Sequence, residues 1–230
     1  GSMKVATFNA NSIRSRMPAV RAWLDRESPD ILCVQETKVV DELFPLAEIE
    51  QAGYRALFRG QKSYNGVAIL TREPLEETGA GLDDEPSDES RLVFGRLGAT
   101  WIVNTYVPQG RAIDHEMYAY KLAWFRRLAA FFSKRFDPSR DEVLWVGDLN
   151  VAREPIDVFE PERRGKHVCY HRDVRDAFEQ SLAWGWTDVF RTFHPDERQY
   201  SFFDYRTPNA AQRGMGWRID YILATNPLAD

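Results

Sequence analysis

Short apolar runs punctuated by turn residues alternate along this chain with a few amphipathic stretches, and their periods separate strands from helices. Lys4–Asn9 alternates apolar and polar positions and predicts a strand. Pro18 near a helix start, with Val20, Trp23 and Leu24 at helical spacing, predicts an amphipathic helix ending near Glu27. Pro29-Asp30 then turns the chain into a buried strand, Ile31–Thr37. A short helix over Pro45–Gln51 stops at Gly53, a residue suited to the position just past a helix end. Strands Tyr54–Arg59 and Val67–Arg72 follow, joined through Asn65-Gly66, and Leu92–Leu97 with Thr100–Val107 forms a hairpin across Gly98. The longest helix spans Asp114–Phe136, with Asp114 as its N-cap. After strand Val143–Val146 come a loop to Tyr170, a helix over Asp173–Ala183 closed by Gly185, and strands Tyr200–Asp204 and Trp217–Ala224.

Strands and helices do not alternate regularly, which disfavours a doubly wound parallel sheet. Hairpin-joined strands with a few covering helices predict two stacked, mainly antiparallel sheets flanked by helices. No repeat of solenoid period and no low-complexity linker divides the chain. Gly1-Ser2 reads as a cleavage scar ahead of Met3, so residues 3–230 are expected to form one domain.

Composition narrows the class. Hydrophobic content of 43% and charged content of 28% are those of an ordinary globular protein, and no apolar run approaches membrane-spanning length. Cys33 sits in an apolar run and reads as core; Cys169 lies in a polar, basic segment. Two cysteines imply no disulfide framework, and a reducing cytoplasm is the simplest compartment. The net charge of −5 argues mildly against a protein that coats nucleic acid nonspecifically, although part of the acidity is concentrated in one loop, Asp83–Glu89. Arg14/Arg16, Arg163/Arg164 and Arg213/Arg218 supply positive groups for a phosphate backbone, although each pair taken singly reads better as an ordinary solvated face.

Chemistry-capable residues gather where apolar runs end. Gly147-Asp148-Leu149-Asn150 follows a run of β-formers, and on an extended backbone Asp148 and Asn150 point to one face. The same residue types also make ordinary turns. Asn9 and Asn11 end the first strand, Glu36 the second and Tyr106 a later one, while Asp220 interrupts an otherwise apolar final strand. Five such ends suggest one site assembled from several strands. Its chemistry suits phosphodiester hydrolysis with a divalent metal, because magnesium takes oxygen ligands and needs only one or two carboxylates. Glu36 is the expected ligand. Asn9, Asn150 and Tyr106 would hydrogen-bond phosphoryl oxygens or help carry the metal, and Asp148 or Asp220 would orient a water or the group that activates it. The histidines at 115, 167, 171 and 194 lack zinc spacing and are expected at the surface. No Walker loop, nucleophile elbow or Rossmann glycine pattern occurs.

Six segments carry a resemblance: Thr7–Arg14, Gln35–Lys38, Asn104–Gly110, Gly147–Asn150, Tyr200–Arg206 and Gly216–Tyr221. Together and in this order they resemble the exonuclease III family of abasic-site endonucleases, within the endonuclease/exonuclease/phosphatase superfamily. The resemblance implies a four-layer α/β sandwich, dependence on Mg2+ with Mn2+ as a substitute, and cleavage of double-stranded DNA 5′ to abasic sites. It also implies activity at 3′ ends, as 3′→5′ exonuclease and 3′-phosphatase, by a monomer of the cytoplasm and nucleoid that engages no membrane. By position, Glu36 resembles the main metal ligand, with Asn9, Asp148 and Asn150 beside it. Tyr106 and Asn150 resemble the groups that stabilise the scissile phosphate, Asp148 the group that positions the attacking water, and Asp220 a supporting group on the leaving side. Asn11, Arg14, Lys38, Gln109, Phe202, Trp217 and Arg218 resemble substrate contacts. Phe202 and Trp217 would wall a pocket for a sugar lacking its base, and they read equally as core aromatics.

The family pattern closes with a Ser-Asp-His motif on a final strand beyond Gly216–Tyr221. The sequence in hand ends at Asn226–Asp230, so that histidine and strand are expected to be missing from it, with impaired turnover. Two alternatives accompany the nuclease reading: a superfamily phosphodiesterase or phosphatase on a non-DNA substrate, and a catalytically impaired DNA-binding form.

Overall fold

A computed structural model describes residues 3–199, 202–203 and 216–229. In chain order the elements are β1 (Val5–Asn9), α1 (Ile13–Glu27), β2 (Ile31–Gln35), α2 (Leu46–Gln51), β3 (Arg55–Arg59), β4 (Val67–Thr71), β5 (Glu76–Ala80), β6 (Leu92–Leu97), β7 (Thr100–Tyr106), α3 (Glu116–Arg135) and β8 (Glu142–Asp148). They continue with α4 (Arg172–Leu182), β9 (Thr187–Asp188), α5 (Val189–Phe193), β10 (Phe202–Phe203), β11 (Gly216–Trp217), β12 (Asp220–Ala224) and α6 (Asn226–Ala229). Of the two large sheets, one runs β1-β2-β4-β3 and the other β5-β6-β7-β8-β12-β9, while β10 and β11 form a separate two-stranded pair. Pairing is mainly antiparallel, with one parallel pair in each sheet, β1–β2 and β7–β8.

Side-chain alternation explains the layering. Ile31 and Cys33 of β2 point between the sheets, where they meet Ile102, Leu144 and Val146 of the second sheet. Leu32 and Val34 point outward against Ile13, Met17, Val20 and Leu24 of α1. In β8, Val143 and Trp145 face the aromatic stripe Trp124, Phe125 and Phe132 of α3 and Phe178 of α4. Both strands are buried on both faces, which is why they read as unbroken apolar runs. The result is the expected helix–sheet–sheet–helix sandwich.

Several boundaries differ from expectation. Helix α1 begins at Ile13, capped by Ser12, so Pro18 falls inside it. His115, not Asp114, caps α3: its Nδ1 accepts from the Met117 N–H at 3.0 Å. Strand β5 escaped the pattern because Glu76–Ala80 is a polar edge with a register shift between Glu76 and Gly79. The expected strand Trp217–Ala224 is split, because the Arg218 N–H donates to Asp157 O and Ile219 O accepts from the Leu149 N–H. Asp220 therefore starts a strand instead of interrupting one.

Two features near the strand ends set how the layers meet. Gly147 (φ +140°) lies so close to β7 that a Cβ would sit 2.1 Å from Thr105 O. Asn104 of β7 crosses the interior: its Nδ2 donates to Val34 O (3.0 Å) and Ala68 O (2.8 Å), and its Oδ1 accepts from Gln35 Nε2 (2.9 Å). Asn104 and Gln35 are fully buried. Replacing Asn104 by Leu strands three buried partners and is expected to cost about 2–4 kcal/mol. Urea unfolding measures it, and an unchanged midpoint would contradict this role.

Candidate active site

Strand registers bring the expected residues together. Tyr106, Asp148 and Asp220 occupy facing positions on the adjacent strands β7, β8 and β12. In the other sheet Asn9 ends β1 opposite Gln35, the last residue of β2, and Glu36 follows. Glu36 has φ +53°, Lys38 +55°, Asn11 +44° and Asn150 +51°. These left-handed backbones, uncommon for residues other than glycine, cluster where the strands give way to loops.

The Asn9 amide joins the two halves of the site. Asn9 Nδ2 donates one proton to Glu36 Oε1 (2.8 Å) and the other to Asp148 Oδ2 (2.9 Å), bridging carboxylates from opposite sheets. Asn9 Oδ1 accepts from the Asn11 N–H (3.1 Å), and Lys38 Nζ donates to Asn11 Oδ1 (2.6 Å) while pairing with Glu36 Oε2 (3.3 Å). Asp148 and Asn150 are adjacent for a different reason than the extended-strand reading supposed. Strand β8 ends at Asp148, and the chain turns so that Asp148 Oδ1 accepts from the Asn150 N–H (3.1 Å). Asn150 Nδ2 donates to Val107 O (2.7 Å), which ties this turn to the end of β7.

Burial governs the ionisation of the cluster. Asp148 is 4% exposed; desolvation pushes its carboxyl upward, the Asn9 bond offsets part of this, and Glu36 adds to it. Desolvation also pushes the Tyr106 hydroxyl upward, reinforced by the Glu36 and Asp148 charges and opposed by Arg91, whose guanidinium lies 5.0 Å from the ring centroid. Tyr106 therefore stays a proton donor at neutral pH. Among the described residues no three His, Cys, Asp or Glu side chains form a closed metal site. The oxygens here are those of the Glu36 and Asp148 carboxylates, with Asn9 Nδ2 between them and Asn9 Oδ1 turned to the Asn11 N–H. Such an oxygen-only set fits a hard cation that keeps part of its water.

The cleft around this cluster holds about 1000 Å³. Asn11, Lys38, Gln109 and Trp217 line it; Arg14 does not, and Arg16 takes that place with its Nε on Ala10 O (3.2 Å). Trp217 is 5% exposed, with the His167 ring 4.2 Å and the Phe159 ring 5.8 Å away between centroids. The backbone of Phe202 pairs with Trp217; its side chain lies outside the described residues. Cys169, in the segment that reads as polar and basic, is buried beside Asn150 Oδ1. The histidines are not simply surface residues: His171 caps α4 and bonds Tyr118, and His167 lines the cleft.

The fold and this strand-end cluster can be set beside known proteins. A profile of the Endonuclease/Exonuclease/phosphatase family matches residues 6–230. Exodeoxyribonuclease III of Haemophilus influenzae is 30% identical, over 99% of this chain and 90% of its own length. The solved AP endonuclease of Archaeoglobus fulgidus superposes with a TM-score of 0.97 at 50% identity, covering 99% of this chain and 88% of that one. The 3′-5′ exonuclease NExo of Neisseria meningitidis gives 0.93 at 34% identity, with the same coverage; a single-residue variant of NExo is solved as a 3′ phosphatase bound to a product DNA hairpin. The chain belongs to the endonuclease/exonuclease/phosphatase family. Within it, this is an enzyme of the exonuclease III type, a phosphodiester hydrolase.

Two buried cations escape a reading of the sequence in different ways. Lys121 belongs to no motif, although it shares the helical spacing of Trp124, Phe125 and Leu128 and so had to point inward. Arg218 was expected at substrate and lines the cleft, yet it is 4% exposed and its guanidinium is engaged. Its Nε donates to Asp157 Oδ1 (2.8 Å) and its terminal nitrogens to both Asp188 oxygens (3.2 and 2.6 Å), while Arg191 pairs with Asp157 as well. This network braces the wall that carries Trp217 and Ile219. Arg218→Met leaves two buried carboxylates short of a partner and is expected to cost about 3–5 kcal/mol, read by urea unfolding. A loss typical of a surface arginine would contradict the bracing role.

Proposed function

We propose that this protein is a magnesium-dependent DNA nuclease of base-excision repair that cleaves 5′ to abasic sites and trims 3′ ends as an exonuclease and 3′-phosphatase. The observation that carries the reading is the Asn9 amide bridging Glu36 and Asp148, with Tyr106 and Asp220 in register beside Asp148. The names of the similar proteins, an exodeoxyribonuclease III, an AP endonuclease and a nuclease solved with a DNA product, support DNA as the substrate.

Each residue then has a task that follows from its surroundings. Glu36 and Asn9 would hold the cation, with Asp148 and Asn150 next to it; manganese would substitute. A cation held there would supply Lewis-acid polarisation of a phosphoryl oxygen. Asp148, fixed through both oxygens by Asn9 and the Asn150 N–H, orients the attacking water, and its desolvation makes it a better proton acceptor. The Tyr106 hydroxyl and the second amide proton of Asn150 donate to the phosphate as its charge grows. Asp220 supports the leaving side. Trp217, with His167 and Phe159 packed around it and Phe202 paired through its backbone, walls the pocket for the sugar without its base. Asn11, Lys38, Gln109 and Arg16 face the DNA strand. Arg14 on the exposed side of α1 is an outer contact, and Arg218 braces the wall instead of touching DNA. We place the enzyme as a monomer acting on DNA in the cytoplasm.

The decisive assay is incision of a duplex oligonucleotide with one abasic site. With magnesium, the product should carry a 3′-hydroxyl, and EDTA should abolish the cut. Glu36→Ala and Asp148→Asn should each lower turnover about a thousandfold. No incision with metal present, or cleavage of a phospholipid or inositol phosphate instead, would overturn the reading.

A further inference from the structure

Lys121 lies on α3, fully buried beneath the loops that carry the site, and no step of the mechanism above uses it. All three protons of its ammonium go to main-chain oxygens: Gln109 O at 3.1 Å, Asn150 O at 2.6 Å and Val168 O at 2.8 Å. The acceptors come from three separate segments, the loop after β7, the turn after β8 and the stretch between His167 and Cys169. A buried cation is costly to desolvate unless its hydrogen bonds are met, and here each is. Charge-assisted bonds to carbonyls are also stronger and shorter than neutral ones. Gly110 shows how closely the parts fit: a Cβ there would lie 3.2 Å from Lys121 Cδ and 3.4 Å from the Tyr118 ring. The glycine that ends Tyr106–Gly110 thus leaves room for the lysine stem as it passes under the loop.

We propose that Lys121 is a positioning residue of the active site, its ammonium locking the Gln109, Asn150 and Val168 segments into one rigid floor. It touches no substrate in this arrangement. Its effect on chemistry runs through Asn150, whose main-chain oxygen it holds while the side-chain Nδ2 of the same residue donates to Val107 O. A neutral side chain of similar length leaves three carbonyls without their donor, and the turn that sets both Asp148 and Asn150 loosens.

The proposal rests on the nuclease reading for its kinetic arm alone, and a second measurement keeps the two apart. Lys121→Met should lower the single-turnover incision rate about 100-fold while the affinity for abasic duplex in calcium stays within about threefold of wild type, since a misplacement of about 1 Å at reacting groups has that effect. Lys121→Arg keeps the charge in a rigid fork and should recover part of the rate. Leu24→Ala, in the outer layer of the other sheet, serves as a folded variant of reduced stability and should keep the wild-type rate. Amide hydrogen exchange followed over segments 107–112 and 149–152 needs no activity. There Lys121→Met should exchange at least about tenfold faster than wild type, and Leu24→Ala should not. If wild type cuts no DNA, the nuclease reading falls, and the exchange result alone decides the role of Lys121. Unchanged exchange in Lys121→Met, or equal losses of rate in Lys121→Met and Leu24→Ala, would overturn it.

Discussion

The amide of Asn104 crosses from one sheet to the other and donates both its protons to main-chain carbonyls, those of Val34 and Ala68, while Gln35 donates back to its oxygen. Apolar side chains between two sheets attract without direction, so they set a spacing and leave the sheets able to slide. Three directional bonds between fully buried groups remove that freedom, because any slip would strand partners away from water. The lock sits next to the strand ends. Val34 precedes Gln35 and Glu36, and Asn104 precedes Tyr106 on the other side. What Asn104 fixes is therefore the distance across which Asn9 can reach both Glu36 and Asp148.

The rest of the site repeats this use of buried polar groups held by several partners. Asp148 is held through both oxygens, Lys121 through all its protons, and Arg218 by two carboxylates, one of which it shares with Arg191. Each would be destabilising alone. Together they tie the loops of the site to one another, and fixed geometry at this place is what oriented phosphodiester chemistry requires. The left-handed backbones at Asn11, Glu36, Lys38 and Asn150 belong to the same pattern: the strain they carry is tolerated because hydrogen bonds over-determine each turn.

Much of this was legible in the sequence. Apolar period and turn residues located most of the strands and helices, and polar residues at the ends of apolar runs pointed to Asn9, Glu36, Tyr106, Asp148 and Asp220. The misses have physical causes. Strand β5 is a polar edge and carries no period-two signal. Asp148 and Asn150 were linked by the right spacing for the wrong reason, since a side-chain-to-backbone bond in a turn does what an extended strand was expected to do. Arg218 looked like a DNA contact because a sequence shows a charge and not the carboxylates that surround it.

Residue order alone dictated the succession of elements, the face each side chain takes within its own strand or helix, and the oxygen-rich chemistry waiting at the strand ends. Those properties follow from local periodicity and residue type. It took the packed molecule to establish that one amide joins two sheets, that Lys121 lies beneath three loops and that Arg218 is already engaged. Such facts depend on contacts between segments far apart in the chain, and burial alone turns a common polar residue into one whose every hydrogen bond has to be met.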